Sequence, residues 1–244
     1  MQAVVLAGGL ATRMRPHTLA IPKAMLEVAG RPFVDWQLER LAQCGFRDVV
    51  MCIAYLGEQI RAHVGDGAGY GVRVTWSEDG GRLLGTAGAL RAALHHLAPT
   101  FLVTYGDSYL PFDYAEPLRI LEAHADCDGV MAVYKNDGKW DASNVVTDGA
   151  DQADQADQGW VLRYEKGIKD DAFDHIDYGA TALRRTLIEA LPDGEPYGLD
   201  TLTRELAARK RLRAYVARER FFEIGSPQGL AELDQKLRTR APTG

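Results

Sequence analysis

Short apolar, β-branched runs alternate with amphipathic segments through the first half of the chain: "AVVLA", "FVDWQLERLAQCG", "DVVMCIA", "GEQIRAHVG" and "VRVTW". Strand-length runs separated by helix-period segments bury both kinds of apolar surface when helices cover a largely parallel sheet, so an α/β fold is expected. The segment from Phe33 places Val34, Leu38, Leu41 and Ala42 on one face and Glu39, Arg40 and Gln43 elsewhere, with Gly45 positioned to stop the helix. Phe33, Trp36 and Leu38 read as core.

The pattern continues with a helix in "GTAGALRAALHHLA", a buried strand ending in an acid in "TFLVTYGD", a helix in "PLRILEAHA" and a strand in "GVMAVYK". Further strands are expected in "SNVVT", "WVLRYEK", "YGATALR" and "LRAYVA", and a closing helix in "SPQGLAELDQKLR". No Pro/Ser-rich linker intervenes, so residues 1–240 read as one domain. The tandem Asp-Gln-Ala segment at 148–159 is polar apart from alanine and lies between two strand candidates, which predicts an exposed hairpin loop without chemistry.

Asp and Glu number 34 against 28 Lys and Arg, a net charge of -6, which argues against general affinity for nucleic acid or anionic membranes. Any anion site is therefore local. Cys44, Cys52 and Cys127 form no Cys-x-x-Cys pair and suit a reducing compartment. The apolar start lacks a basic leader and no later run approaches membrane length, so the cytoplasm is the expected location. His95 and His96 are expected on a helix surface, and His17 and His63 lack the spacing of metal ligands.

A local anion site stands at the start. In "VVLAGGLATRMRPHTLAIPKAM" a strand runs into Gly8 and Gly9, and Arg13, Arg15 and Lys23 follow with no acid before Glu27. Glycines let the main chain approach a bound group, and amide N–H groups in such a turn cradle phosphate. The string is not a P-loop, because no Gly-Lys-Ser/Thr follows, and Ala11 breaks the dinucleotide-binding glycine pattern. Asp107 ends a buried strand, and in open α/β sheets ligands gather at the carboxyl ends of strands.

The longer string "LAGGLATRMRPHTLAIPKAMLEVAGRPF" resembles the signature of sugar-1-phosphate nucleotidylyltransferases, and "LLGTAGAL", "VTYGDSYL", "YEK", "DYGATAL" and "FFEIGSP" resemble that family's later motifs in order. The likeness is nearest to short bacterial members such as heptose-1-phosphate guanylyltransferases and MurNAc-1-phosphate uridylyltransferases. It implies a Rossmann-like mixed, mainly parallel sheet flanked by helices, with a nucleotide-binding half over about residues 1–110 and a sugar-phosphate-binding half over about 111–240. No left-handed β-helix follows, so acyltransferase activity is not expected.

The implied reaction is attack by a sugar-1-phosphate oxygen on the α-phosphorus of a nucleoside triphosphate, with pyrophosphate leaving. Positioning and charge stabilisation carry such a reaction. By the resemblance Leu6, Ala7, Gly8 and Gly9 form the nucleotide loop, Arg13 holds the leaving pyrophosphate, and Lys23 bridges the two reacting phosphates. Asp107 corresponds to a metal-binding aspartate, and Glu223 stands where a second one often appears, the pair serving Mg²⁺. Glu78, Gly85 and Thr86 fall in the base-reading segment. A carboxylate suits the N–H donors of guanine, while uracil also offers one, so GTP and UTP both remain. Glu165 and Lys166 resemble the pair that binds sugar hydroxyls and phosphate, Tyr178 and Gly179 line the sugar pocket, and Asp177 is a candidate hydroxyl acceptor. Ala11 departs from the family glycine and resists positive φ.

The resemblance points to a GDP-linked sugar of heptose or mannose type, with UTP-dependent transfer to a hexose or MurNAc 1-phosphate as the alternative. A non-catalytic nucleotide-sugar sensor is the rival of another class. The glycine pattern argues against a nicotinamide oxidoreductase. The chain carries no signal of oligomeric state.

Overall fold

Ala3, Val4 and Val5, consecutive on the first strand, are each 0% exposed, so this strand is covered on both faces, as a central parallel strand requires. The structure, a computed structural model, describes all residues except 10, 12–13, 15, 79, 81, 83, 137, 141, 149–158, 168–169 and 240–244. The elements, in order, are β1 (Gln2–Leu6), β2 (Glu27–Val28), β3 (Arg31–Pro32), α1 (Phe33–Gln43), β4 (Asp48–Ile53), α2 (Gly57–Val64), β5 (Arg73–Glu78), α3 (Gly85–Ala92), β6 (Thr100–Tyr105) and β7 (Ser108–Tyr109). They continue with α4 (Ala115–Ala123), β8 (Gly129–Lys135), β9 (Val145–Thr147), β10 (Val161–Tyr164), β11 (His175–Arg184), α5 (Arg185–Glu189), α6 (Leu199–Ala208), β12 (Leu212–Ala217), β13 (Phe222–Glu223) and α7 (Pro227–Arg238).

Among the described residues a nine-stranded sheet has the order β10-β9-β11-β6-β1-β4-β5, with β8 pairing β11 and β12 beside this path. Pairing is parallel between β1 and β4, β1 and β6, β4 and β5, and β8 and β12. β11 runs antiparallel to both β6 and β8, which makes the sheet mixed and mainly parallel, as expected. The expected hairpin strands β9 and β10 pair antiparallel; residues 149–158 of the Asp-Gln-Ala loop between them lie outside the described residues.

Alternation along the strands divides the core. Ala3 and Val5 face α1, α2 and α4 through Val34, Leu38, Ile60 and Leu118, whereas Val4 faces α3, α5 and α6 through Leu90, Ile188 and Leu202. A third cluster packs α7, through Leu233 and Leu237, against Met14, Phe33, Tyr109 and Ile224. The α7 start follows its sequence signal: Ser226 Oγ accepts the Gly229 N–H at 3.1 Å and Pro227 occupies the first helical position.

Two local readings differ. The helix of "GTAGALRAALHHLA" ends at Ala92, and His95 and His96 occupy a separate 3-10 turn, Leu94–His96. Ala11 does adopt positive φ, at 48°, and its carbonyl accepts from Met14 N–H and Thr18 Oγ1. His63, expected to have no metal partners, makes a polar contact instead: its Nε2 lies 2.7 Å from Asp35 Oδ1 across the α1–α2 junction, with the Tyr70 hydroxyl on the same oxygen. No helix among the described residues is long and apolar enough to cross a membrane.

Leu38 is wholly buried between α1 and the sheet. Leu38→Ala is expected to cost about 2–5 kcal/mol in urea unfolding, because the cavity left behind adds to the lost burial. A loss below about 1 kcal/mol contradicts this packing.

Candidate active site

The ladder of β1 continues one step past its end on both sides: Ala7 N–H donates to Cys52 O at 2.8 Å and Gly106 N–H donates to Leu6 O at 2.9 Å. A Cβ on Gly106 would stand 2.9 Å from the Ala7 Cβ, so glycine is what allows β6 to lie this close to the opening loop. Ala7, Gly8 and Gly9 thus emerge between the carboxyl ends of β4 and β6. They line a cavity of about 270 Å³ together with Leu6, Lys23, Gly85, Thr86, Tyr105 and Asp107.

Lys23 opens a 3-10 turn after the extended Pro22, and this turn places its side chain across the end of β6. Lys23 Nζ lies 2.7 Å from Asp107 Oδ2, with the two side chains 19% and 24% exposed. Half-buried in this way, neither charge is fully solvated, so each depends on the other until another partner arrives. The Asp107 segment is held from below by α1: Gln37, though polar, is buried because its Nε2 donates to Tyr105 O at 2.7 Å and Ser108 O at 3.3 Å.

The far wall is the start of α3. Gly85 has φ of +71°, and a Cβ there would lie 2.7 Å from Tyr197 O. The Tyr197 carbonyl accepts from Ala87 and Gly88 N–H, and Thr86 Oγ1 accepts the Leu199 N–H at 2.7 Å. The loop from Glu195 to Gly198 therefore locks the base of this wall, a contact for which the sequence offers no local signal.

Beyond β6 lie the residues assigned to the sugar side. Because β11 opposes β6, with Ala180 beside Thr104, the preceding Asp177 and Gly179 reach the Tyr105–Ser108 segment. A Cβ on Gly179 would lie 3.3 Å from Ser108 Oγ. Asp177 Oδ1 accepts the Gly179 N–H at 2.9 Å and its Oδ2 accepts from the Tyr164 hydroxyl at 3.3 Å. Asn144 joins the strands, its side-chain oxygen accepting the Asp177 N–H and its carbonyl the Glu165 N–H. Glu165 is half-buried and Lys166 exposed just past β10. Burial pushes the Asp177 carboxyl above its ordinary 3.8, against the opposing pull of the Gly179 N–H, Lys166 and Tyr164. Burial likewise pushes the Tyr105 and Tyr164 phenols upward, reinforced in both by Asp177.

Two assigned side chains sit away from these spaces. Glu78 is 51% exposed and paired with Arg61, which also lies over Trp76, so its carboxylate does not line the cavity. The Tyr178 ring is buried against Phe112 and Phe221 with its hydroxyl donating to Glu219 O, on the same face of β11 as the buried Ala180 and Ala182. Arg13 lies outside the described residues.

For a metal the donor set is small. Glu223 stands opposite Ser108 in the β7–β13 pair, and Ile224 N–H donates to Asp107 O at 2.9 Å, so the turn that carries Asp107 runs alongside β13. No group of three or more His, Cys, Asp or Glu that could hold a metal occurs among the described residues. Asp107 lines the cavity and Glu223 does not, and a hard cation such as Mg²⁺ takes few protein carboxylates beside water and substrate ligands.

Two outcomes follow from this geometry. Gly85→Ala, which forces a side chain into positive φ against the Tyr197 carbonyl, is expected to destabilise the fold by about 1–3 kcal/mol; an unchanged urea midpoint contradicts the close approach. For Asp177 the folded value lies above the unfolded one, so its stabilising proton is held below about pH 4 and stability is lost as pH rises through the folded value. Asp177→Asn escapes that loss: the wild-type melting temperature should fall relative to the variant between acid and neutral pH, and parallel curves contradict the burial.

The MobA-like NTP transferase domain model matches residues 3–220. The N-acetylmuramate α-1-phosphate uridylyltransferase of Neisseria meningitidis is 44% identical over 115 residues, 47% of this chain and 50% of that protein. The enzyme of the same name from Caulobacter vibrioides is 27% identical over 244 residues, covering 96% of each chain. A mannose-1-phosphate guanylyltransferase of Mycobacterium tuberculosis is 28% identical over 206 residues, 82% of this chain and 53% of that protein. The chain thus spans about half the length of several curated relatives that it matches. HddC from Yersinia pseudotuberculosis, solved in complex with GMP-PN, has a TM-score of 0.73 at 24% identity over 97% of this chain and 99% of that one, a likeness of fold. On the match over residues 3–220, the chain belongs to the MobA-like NTP transferase domain family.

Proposed function

We propose that the chain transfers a nucleoside monophosphate from a nucleoside triphosphate to a sugar 1-phosphate, releasing pyrophosphate and forming a nucleotide sugar. The observation that carries this reading is the Lys23–Asp107 pair beside a cavity walled by the Ala7–Gly9 main chain at the carboxyl ends of β1 and β6. Leu6 to Gly9, Gly85 and Thr86 cradle the nucleotide. Lys23 turns from Asp107 to the phosphates and screens the repulsion between two anions, so that the sugar-phosphate oxygen reaches the α-phosphorus. Arg13 takes the leaving pyrophosphate. Glu165 and Lys166, with the main chain at Tyr178 and Gly179, hold the sugar phosphate. Asp107 and Glu223 would hold Mg²⁺, which when bound neutralises charge on the triphosphate. The reaction belongs in the cytoplasm, where nucleoside triphosphates are available.

GTP, giving a GDP-linked sugar of heptose or mannose type, is the donor suggested by the sequence. UTP is the second reading, favoured by relatives from Neisseria meningitidis and Caulobacter vibrioides that carry the name N-acetylmuramate α-1-phosphate uridylyltransferase.

Pyrophosphate release is the direct test, with five nucleoside triphosphates each paired with a panel of hexose, heptose and MurNAc 1-phosphates. One pair is expected to turn over, and Lys23→Ala to lower kcat by about 100- to 1,000-fold, the range for removing a group aimed at developing charge. Nucleotide binding without turnover on any pair would support the sensor reading instead.

A further inference from the structure

The chain that leads into Lys23 crosses open surface. Leu19 and Ile21 are 54% and 43% exposed, so this arm draws little stability from burial. After Lys23 the core takes hold: Ala24 and Leu26 are buried, and Phe33 N–H donates to Leu26 O at 2.9 Å. Before the exposed stretch, Thr18 is buried and its Oγ1 donates to Ala11 O at 2.8 Å. Leu19 to Pro22 span the gap between these two anchors, and Pro22, extended with φ of -66°, delivers the lysine.

Two side chains from another element reach across to that span. The Tyr55 hydroxyl donates to Leu19 O at 3.0 Å, and Gln59 Nε2 donates to Ala20 O at 2.9 Å. Tyr55 stands just before α2 and Gln59 in its first turn, so one turn of chain offers donors to two consecutive carbonyls. Among the described residues these are the side-chain bonds that hold the span. The turn that carries them is itself tightly set. Leu56 takes φ of 56°, a left-handed conformation that strains a non-glycine residue, and a Cβ on Gly57 would lie 2.7 Å from the Ile53 Cβ. A Cβ on Gly8 would in turn lie 3.1 Å from the Ala54 Cβ. The turn after β4 therefore meets the nucleotide loop with Ala54 and the Lys23 arm with Tyr55. Both donors are exposed, and bonds for which water competes add little to the stability of the fold. What they fix is the path of the main chain into Lys23.

We infer that Tyr55 and Gln59 are positioning residues for the transfer reaction, clamping the arm so that Lys23 exchanges Asp107 for phosphate by turning its side chain over a fixed main chain. The inference rests on the nucleotidyl-transfer reading above. Neither residue touches a substrate in this role; both act through the lysine. A charge aimed at the reacting phosphates loses effect with a small displacement, so releasing the clamp shows in the transition state rather than in substrate binding. The signature is a lower kcat at constant KM.

Tyr55→Phe and Gln59→Met keep the bulk of each side chain and remove its donor, and the double variant leaves neither bond to compensate for the other. Steady-state kinetics on the active substrate pair are compared for wild type, the double variant, Lys23→Ala and the triple variant. The double variant is expected to lose roughly three- to tenfold in kcat, the range for a net neutral hydrogen bond, with both KM values held within about twofold. Added to Lys23→Ala, the same two changes are expected to alter kcat by less than about twofold, because residues that act through one group are not additive. Unchanged kcat in the double variant, or a rise in KM without a fall in kcat, overturns the inference and leaves the proposed reaction intact. So does a fall in kcat of equal size with and without Lys23, which marks a general structural role. A wild type silent on every pair overturns both.

Discussion

Parallel pairing of β1 with β4 on one side and β6 on the other is the constraint from which the candidate site follows. It sets Leu6 opposite both Cys52 and Tyr105, so the opening loop and the Asp107 turn leave the sheet at the same edge and side by side. Hydrogen bonds from Ala7 to Cys52 and from Gly106 to Leu6 extend the ladder to the last possible residue. Lys23 then needs only the short turn after Pro22 to reach Asp107. Helix α1 supports the arrangement from below through Gln37, which links the core directly to the Asp107 segment.

The electrostatics of this edge are those of a site awaiting anions in an acidic chain. A net charge of -6 disfavours phosphate in general, and Asp107, Asp177 and Asp200 add to that locally. Lys23 is the cation the described cavity wall supplies, and it is matched to Asp107 while no phosphate competes for it. Breaking the pair becomes favourable when both partners are reoccupied at once, the lysine by phosphate and the carboxylate by a cation. On the proposed reading the pair balances its own charges before binding and makes triphosphate and metal interdependent afterwards.

Much of the first half was legible in the sequence because its signals are local. The apolar run of β1, the α1 face of Val34, Leu38 and Leu41, and the stop at Gly45 all appear where the pattern predicts. Leu6 to Gly9, Lys23, Gly85, Thr86 and Asp107 come together on one cavity although they lie up to a hundred residues apart, because strand ends on one edge of a parallel sheet converge. What escaped depends on long-range partners. Glu78, expected in the base-reading segment, is paired with Arg61 on another element. Tyr178 shares a core face with Ala180 and Ala182 and packs on Phe112 and Phe221 from elsewhere in the chain, and Tyr197 matters only because Gly85 lets its carbonyl approach. The two-residue strands β7 and β13 are too short for any periodicity to reveal, yet they are what set Glu223 opposite Ser108, the residue after Asp107.

The exchange of partners by Lys23 is the central claim, and a crystal structure of the protein with Mg²⁺ and a non-hydrolysable analogue of the donor triphosphate tests it most directly. The account predicts Lys23 Nζ within about 3 Å of a phosphate oxygen and detached from Asp107, whose carboxylate faces the metal. A bound triphosphate with the Lys23–Asp107 pair intact would contradict it.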